Sequence, residues 1–238
     1  MNRCNLSEYR VNHFSQNGED GVIEKIFEIA GIKNGFLVEF GAWDGIHFSN
    51  TRHHYLTKRF KILLIEPDPV RYWELEKNYP ERSAILINSF VNIDKYPTLN
   101  DIFDLNKVEN IALLSIDVDG EDVEIWKTLD TNTFRPKVVV IEFSKWQDKE
   151  ALDDFAKVFY DKGYDLVHVT GNFIFVDRNL GITSQSDIHS LMRCSGLPEY
   201  DNFFGLISDE EVVQRNIRKE TEKDIYCRQA GEQVIEFN

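Results

Sequence analysis

Cysteine is scarce: Cys4, Cys194 and Cys227 are the only three in 238 residues, and no two form a CxxC pair. That argues against a disulfide scaffold or a thiolate zinc site as the organising element. A reducing, cytoplasmic setting is the expectation. Basic charge is also short, 27 Lys and Arg against 41 Asp and Glu, a net of −14. Nucleic acid and anionic membrane are therefore poor candidates for the main partner, since phosphate binding needs clustered cations. Long hydrophobic runs are missing too. The longest, such as Ile62–Ile65 and Val138–Ile141, are strand-sized and too short to cross a bilayer. The first thirty residues are interrupted by Arg3, Glu8, Arg10, Glu19, Asp20, Glu24 and Lys25, so no signal-peptide core is expected there. Neither an internal repeat nor a low-complexity linker is present.

What is there is a folded chain, 42% hydrophobic and 29% charged, in which strand and helix alternate. Gly18-Glu19-Asp20-Gly21 opens a helix with Val22, Ile23, Ile26, Phe27 and Ala30 at helical spacing. Buried strands are expected at Phe36–Phe40, Lys61–Glu66, Ala84–Ile87, Ile111–Asp117 and Val138–Phe143. Helices are expected at Val70–Asn78, Leu99–Leu105, Val123–Leu129 and Ala151–Lys162. Near-continuous apolar strands separated by helices specify a mostly parallel sheet covered on both faces, an α/β doubly wound, Rossmann-like fold. Tyr164–Thr170 and Phe173–Asp177 flank Gly171-Asn172, a two-residue hairpin loop, so the sheet should close with an antiparallel pair. Residues 1–180 then form the domain, and 181–238 an extension expected to serve as a lid or in oligomerisation.

The informative loop is Val38-Glu39-Phe40-Gly41-Ala42-Trp43-Asp44-Gly45. Ligands of open parallel sheets bind beyond the carboxyl ends of the strands, where strand order reverses. Gly41 and Gly45 would let the backbone turn and approach a ligand. Glu66 ends the next strand, 21 residues past Gly45, where a carboxylate can accept both hydroxyls of a ribose. A dinucleotide site wants GxGxxG. This chain has GxxxG with Trp43 in between, and Glu39 and Asp44 would repel a diphosphate. S-adenosylmethionine carries no phosphate but an ammonium and a sulfonium, and suits an acidic loop better. The loop alone is equally compatible with a tight strand-to-helix turn holding no ligand.

Further motifs occur in order. Ser15-Gln16-Asn17-Gly18-Glu19-Asp20-Gly21 precedes the glycine loop. Ser49-Asn50-Thr51, Ile65-Glu66-Pro67-Asp68, Leu114-Ser115-Ile116-Asp117-Val118-Asp119-Gly120-Glu121-Asp122 and Val140-Ile141-Glu142-Phe143 follow it. Together they resemble the FkbM-type family of S-adenosylmethionine-dependent methyltransferases, over roughly Ser15 to Asp177. The resemblance implies a doubly wound sheet with an antiparallel last strand. It implies that Glu39, Gly41, Ala42, Asp44 and Gly45 line the methionine and ribose end of the cofactor. Glu66 would take the ribose hydroxyls, with Pro67 and Asp68 beside it, and Ser89 and Phe90 would flank the adenine. Gln16 and Glu19 would close the methionine end; Ser49, Asn50 and Asp117 complete the expected cofactor positions. Trp43 stands where a small residue is frequent in such enzymes.

Asp117 and Asp119 project to one side if their strand continues through them. They are candidates to hold the cofactor ammonium or the acceptor, to act as general base, or, with Glu142, to bind Mg²⁺ or Ca²⁺. A calcium loop is incomplete, since no Glu follows at the twelfth position. Glu121 and Asp122 read as a helix start, where negative charge suits the macrodipole. His47, two residues past the glycine loop, is a candidate base; His168, within a strand, reads as structural. Arg52-His53-His54 and Lys58-Arg59-Phe60-Lys61 read first as a solvated helix face, and secondly as a patch for an anionic acceptor. The expected function is methyl transfer to a hydroxyl of a small carbohydrate-like, or nucleotide- or phosphate-linked, acceptor. The alternatives are a nucleotide-dependent oxidoreductase or epimerase, and an inactive binding module on the same fold. A homo-oligomer stays open.

Overall fold

The computed structural model describes residues 2–80, 84–118, 120–145, 148–184, 188, 191 and 234–237. Most of the 181–238 extension, with its expected lid or oligomerisation role, lies outside the described residues. Seven strands form the main sheet: β2 (Gly35–Phe40), β3 (Phe60–Ile65), β4 (Ala84–Ile87), β5 (Ile111–Ile116), β6 (Val138–Ile141), β7 (Tyr164–Val169) and β8 (Phe173–Asp177). Their order is β4-β3-β2-β5-β6-β8-β7. Strands β4, β3, β2, β5 and β6 pair parallel, and β8 runs antiparallel between β6 and β7. The chain lays β3 and β4 on one side of β2, then returns to place β5 on the other. The reversal of strand order therefore falls between β2 and β5, and a crevice opens at their carboxyl ends.

Alternation along each strand builds two cores. Phe36, Val38 and Phe40 of β2 face one side, with Leu63, Ile65, Leu114 and Ile116, under α4 (Leu99–Leu105), α5 (Asp122–Thr128) and α6 (Lys149–Asp161). Leu37, Ile62, Leu64 and Leu113 face the other, under α1 (Glu19–Ile29), α2 (Arg52–Leu56) and α3 (Pro69–Asn78). In α6, Leu152, Phe155, Ala156 and Phe159 are buried at helical spacing, and Phe159 stacks on Phe175 with centroids 3.9 Å apart. Each fully buried side chain of this kind contributes roughly 1.5–3 kcal/mol.

Two details depart from the sequence reading. The β7–β8 connection is the three-residue loop 170–172, because Val169 already pairs with Phe173, and the Thr170 N–H is donated to the Asn172 carbonyl. A second, antiparallel sheet of order β1-β10-β9 joins β1 (Asn2–Asn5), β9 (Ile182–Ser184) and β10 (Val234–Phe237), which the sequence did not announce.

Candidate active site

A cleft of about 510 Å³ opens over the carboxyl ends of β2, β3, β4 and β5, a size ordinary for a small-molecule site. Its floor is set by Gly41. The glycine has φ +73, and a Cβ there would lie 1.5 Å from the Asp117 carbonyl oxygen. Only glycine lets β2 leave the sheet this close to β5, and Asp117 N–H closes the gap by donating to the Phe40 carbonyl at 3.2 Å.

Glu39 lines the cleft with a carboxylate already engaged. Its Oε2 accepts from Ser49 Oγ and Thr51 Oγ1, both at 2.6 Å, and its Oε1 accepts from Asn50 N–H at 2.8 Å. Burial pushes this carboxyl above its usual range, and those three bonds pull it back in part. The Ser49-Asn50-Thr51 segment is thus folded around Glu39, which faces the α1–α2 side as the alternate residue of β2. Asn50, only 4% exposed, lines the cleft and donates Nδ2 to Ser115 Oγ at 3.0 Å, while its Oδ1 has no hydrogen-bond partner. A buried acceptor left unpaired costs about 1–3 kcal/mol, so a ligand donor here is favoured.

Glu66 is 2% exposed. Its Oε2 accepts from Trp43 N–H at 2.8 Å and its Oε1 from Asp68 N–H at 2.9 Å. Each oxygen keeps a second lone pair for a hydroxyl. Ala42, Pro67, Ser89, Phe90 and Asp117 line the same cleft.

Other expected positions do different work. Asp68 caps α3, accepting from Val70 and Arg71 N–H, which hold it below the usual carboxylate range. Gly45 packs under α3, where a Cβ would lie 2.4 Å from Tyr79. Glu19 is fully buried and accepts from Thr170 Oγ1 at 2.6 Å, tying α1 to the β7–β8 loop. Gln16 is exposed, and its carbonyl accepts from Asn12. Neither lines the cleft. Asp44 turns into its own loop: Oδ1 accepts from Ile46 and His47 N–H, both at 2.9 Å, and Oδ2 meets His47 Nδ1 at 2.6 Å. Burial would raise its carboxyl, but these bonds hold it below its usual range. His47 lines the cleft.

In the acidic run, Asp122 accepts from Val118 and Gly120 N–H at 2.8 and 3.0 Å, folding the turn from β5 to α5. Glu121 lines the cleft, and Glu142 lies instead in a separate groove between α5 and α6. Asp119 is outside the described residues. Among the described residues no three His, Cys, Asp or Glu converge as a metal site. The basic stretch is not at the cleft. Arg52 donates to the Asn78 carbonyl and stacks on Tyr79 at 4.4 Å. Lys58, Arg59 and Lys61 sit at the amino end of β3, about 15 Å of strand from Glu66. Arg71, Phe48 and Glu121 line the cleft without having been expected there. The Asp68 cap is the signal that could have found Arg71, since it places the first turn of α3 at the strand's carboxyl end.

Residues 89–166 match the family model described as the methyltransferase FkbM domain. The matched stretch is 78 of the 238 residues, about a third of the chain. The matched span holds β5, the acidic turn, β6 and α6, and begins after the glycine loop. A search of curated proteins returns no match. Among solved structures, the chain is similar to an O-methyltransferase from Bacillus cereus in complex with SAH, at 10% identity and TM-score 0.45, covering 72% of this chain and 85% of that one. It is similar also to precorrin-6y C5,15-methyltransferase from Geobacter metallireducens, at 15% identity and TM-score 0.44, covering 72% and 93%. A TehB-like SAM-dependent methyltransferase from Corynebacterium glutamicum aligns at 14% identity and TM-score 0.40, covering 73% and 92%. Among the described residues no helix is long and apolar enough to cross a membrane.

Proposed function

We propose that this protein binds S-adenosylmethionine in the cleft and methylates a hydroxyl oxygen of a small, carbohydrate-like acceptor, in the cytoplasm. The observation that carries the cofactor reading is where the glycine loop's N–H groups point. Ala42 N–H donates to the Ile65 carbonyl, Trp43 to Glu66, Gly45 to the Ala42 carbonyl, and Ile46 and His47 to Asp44. A diphosphate needs such groups turned toward it. Here those five are committed within the protein, and the carboxylates of Glu39, Glu66, Asp117 and Glu121 line the cleft. That disfavours the dinucleotide alternative on geometry as well as on motif.

The residues present fit the sulfonium cofactor. Glu66 offers paired acceptor lone pairs to a ribose diol, and Asn50 Oδ1 offers an unpaired acceptor to an ammonium. When bound, the cofactor supplies a methyl group activated on sulfur. Gly41 keeps the floor open, Ser89 and Phe90 border the far end, and Asp117 sits at the strand exit to hold a reacting group. Asp117, Asp119 and His47 keep the candidate catalytic roles. Alignment supplies most of the acceleration in such a transfer.

Calorimetric titration with S-adenosylhomocysteine and separately with NAD tests this. Binding of the former and not the latter is expected. Glu66→Ala should weaken the former about 30-fold, roughly 2 kcal/mol for two lost hydroxyl bonds. NAD binding without S-adenosylhomocysteine binding overturns the reading.

A further inference from the structure

We infer that the lip formed by Trp43, His47 and Phe48 is the acceptor subsite, that it takes a neutral, hydroxylated ring of the pyranose type, and that His47, positioned by Asp44, receives the acceptor's proton. This rests on the methyltransferase reading above.

The lip is built at a conformational cost. Trp43 and Phe48 have φ of 50 and 60, the left-handed region that side-chain-bearing residues adopt rarely and that clusters at functional sites. Their rings are left 37% and 53% exposed at the mouth of the cleft, while the strands behind are sealed. The Trp43 centroid lies 5.9 Å from His47 and 6.1 Å from Phe48, with ring planes inclined at 38° and 52°, so the rings are not stacked shut on one another. Exposed aromatic faces carry negative quadrupole charge and attract the weakly positive axial C–H bonds of a sugar ring.

Asp44 decides which nitrogen of His47 is available. Its Oδ1 is fixed by two backbone N–H groups, and its Oδ2 meets Nδ1 at 2.6 Å. A carboxylate accepts, so Nδ1 carries the hydrogen and Nε2 carries the lone pair. The acceptor O–H gives its proton to His47 Nε2, the oxygen pair forms the new C–O bond to the methyl carbon, and the broken C–S pair returns to sulfur. The products are a methyl ether, S-adenosylhomocysteine and an imidazolium held by Asp44.

Charge selects the acceptor. Glu66, Asp117 and Glu121 line the cleft with Glu39, and Arg71 is the one Lys or Arg among the described lining residues. Its guanidinium lies 5.3 Å from the centre of the Trp43 ring. Hydroxyls donate to carboxylates, whereas a phosphate entering the cleft would meet four carboxylates against one guanidinium. The denser basic stretch at the amino end of β3 cannot help. Among the acceptors expected from sequence, the neutral sugar is favoured over the phosphate-linked one.

The test uses the full chain with S-adenosylhomocysteine bound, titrated with neutral methyl pyranosides and with matched sugar phosphates. Nitrogen spectroscopy of the imidazoles, with no acceptor present, should show His47 as the Nδ1–H tautomer, and Asp44→Asn should mix the tautomers. Pyranosides should shift the Trp43 indole resonance, and Phe48→Ala should raise their dissociation constant about tenfold, well beyond any change in that of S-adenosylhomocysteine. In turnover with whichever pyranoside binds, His47→Gln should lower kcat about 100-fold, a far larger effect than on KM. Sugar phosphates binding in preference to pyranosides, no pyranoside shift at Trp43, an Nε2–H tautomer, or full turnover by His47→Gln would each overturn the inference with cofactor binding intact. Failure of the wild-type chain to bind S-adenosylhomocysteine instead removes the methyltransferase reading, and this subsite with it.

Discussion

Replacing Gly41 by alanine separates two costs that the structure makes explicit. The first is conformational: at φ +73 a Cβ-bearing residue is disfavoured by about 1 kcal/mol or slightly more. The second is steric. The new Cβ would sit 1.5 Å from the Asp117 carbonyl oxygen, against a normal contact distance near twice that, so the exit of β5 must move. That movement breaks the Asp117 N–H to Phe40 carbonyl bond, worth about 1 kcal/mol, and disturbs a packed boundary at about 1–3 kcal/mol more. The sum is about 4 kcal/mol, or a Tm lower by about 10 °C for a chain of this size. Gly31→Ala is the internal control. It has φ +64 but nothing within 4 Å of its Cβ, so only the conformational cost applies, and Tm should fall by about 3 °C. Thermal melts of both variants with S-adenosylhomocysteine titrations on each complete the assay. Gly41→Ala should lose binding because Asp117 leaves the cleft, while Gly31→Ala should keep it. Equal melting temperatures, or undiminished binding by Gly41→Ala, would refute the reasoning.

Three further outcomes follow from individual contacts. Burial, with nearby His53, lowers the His54 pKa from 6.5 to about 4. The unfolded chain therefore binds the proton more readily, so this stability is complete above pH 6.5 and is lost as pH falls toward 4, to about 3 kcal/mol. His54→Phe, which keeps the contact with Phe27, should flatten that part of the acid-unfolding profile in urea titrations; an unchanged profile contradicts it. Arg135 forms a two-pronged pair with Asp177 at 2.7 and 2.8 Å and also donates to the Lys162 and Gly163 carbonyls. Arg135→Lys should cost about 2 kcal/mol in denaturant midpoint analysis, since lysine cannot reproduce the fork, and a loss below a few tenths would count against this geometry. Asn50→Asp should strengthen binding of S-adenosylhomocysteine if the unpaired Oδ1 faces its ammonium, and a calorimetric affinity reduced tenfold would show that it does not.

The strands were legible because β2, β3, β5 and β6 are largely buried on both faces and so read as near-continuous apolar runs. The helix starts were legible where a cap announces them, as at Asp68-Pro69. Side-chain direction was not. Glu39 and Asp44 carry the charge expected of the loop, yet one is wrapped by Ser49-Asn50-Thr51 and the other holds His47, and only the return of the chain after Gly45 determines this. The basic stretch illustrates the same limit. Adjacent in sequence to the cofactor loop, it is carried by α2 to the opposite end of β3. Phe48 was not legible, because a lone aromatic in a polar segment has no periodicity to mark it. The β1-β10-β9 sheet joins the two ends of the chain, a pairing no local pattern encodes.

The most direct measurement is an amide-resolved titration of isotope-labelled protein with S-adenosylhomocysteine. Saturable shifts concentrated at Gly41, Trp43, Asn50, Glu66 and Ser89 are expected. No saturable shift, or shifts confined to the groove around Val123, Phe143 and Phe155, would contradict the cofactor reading.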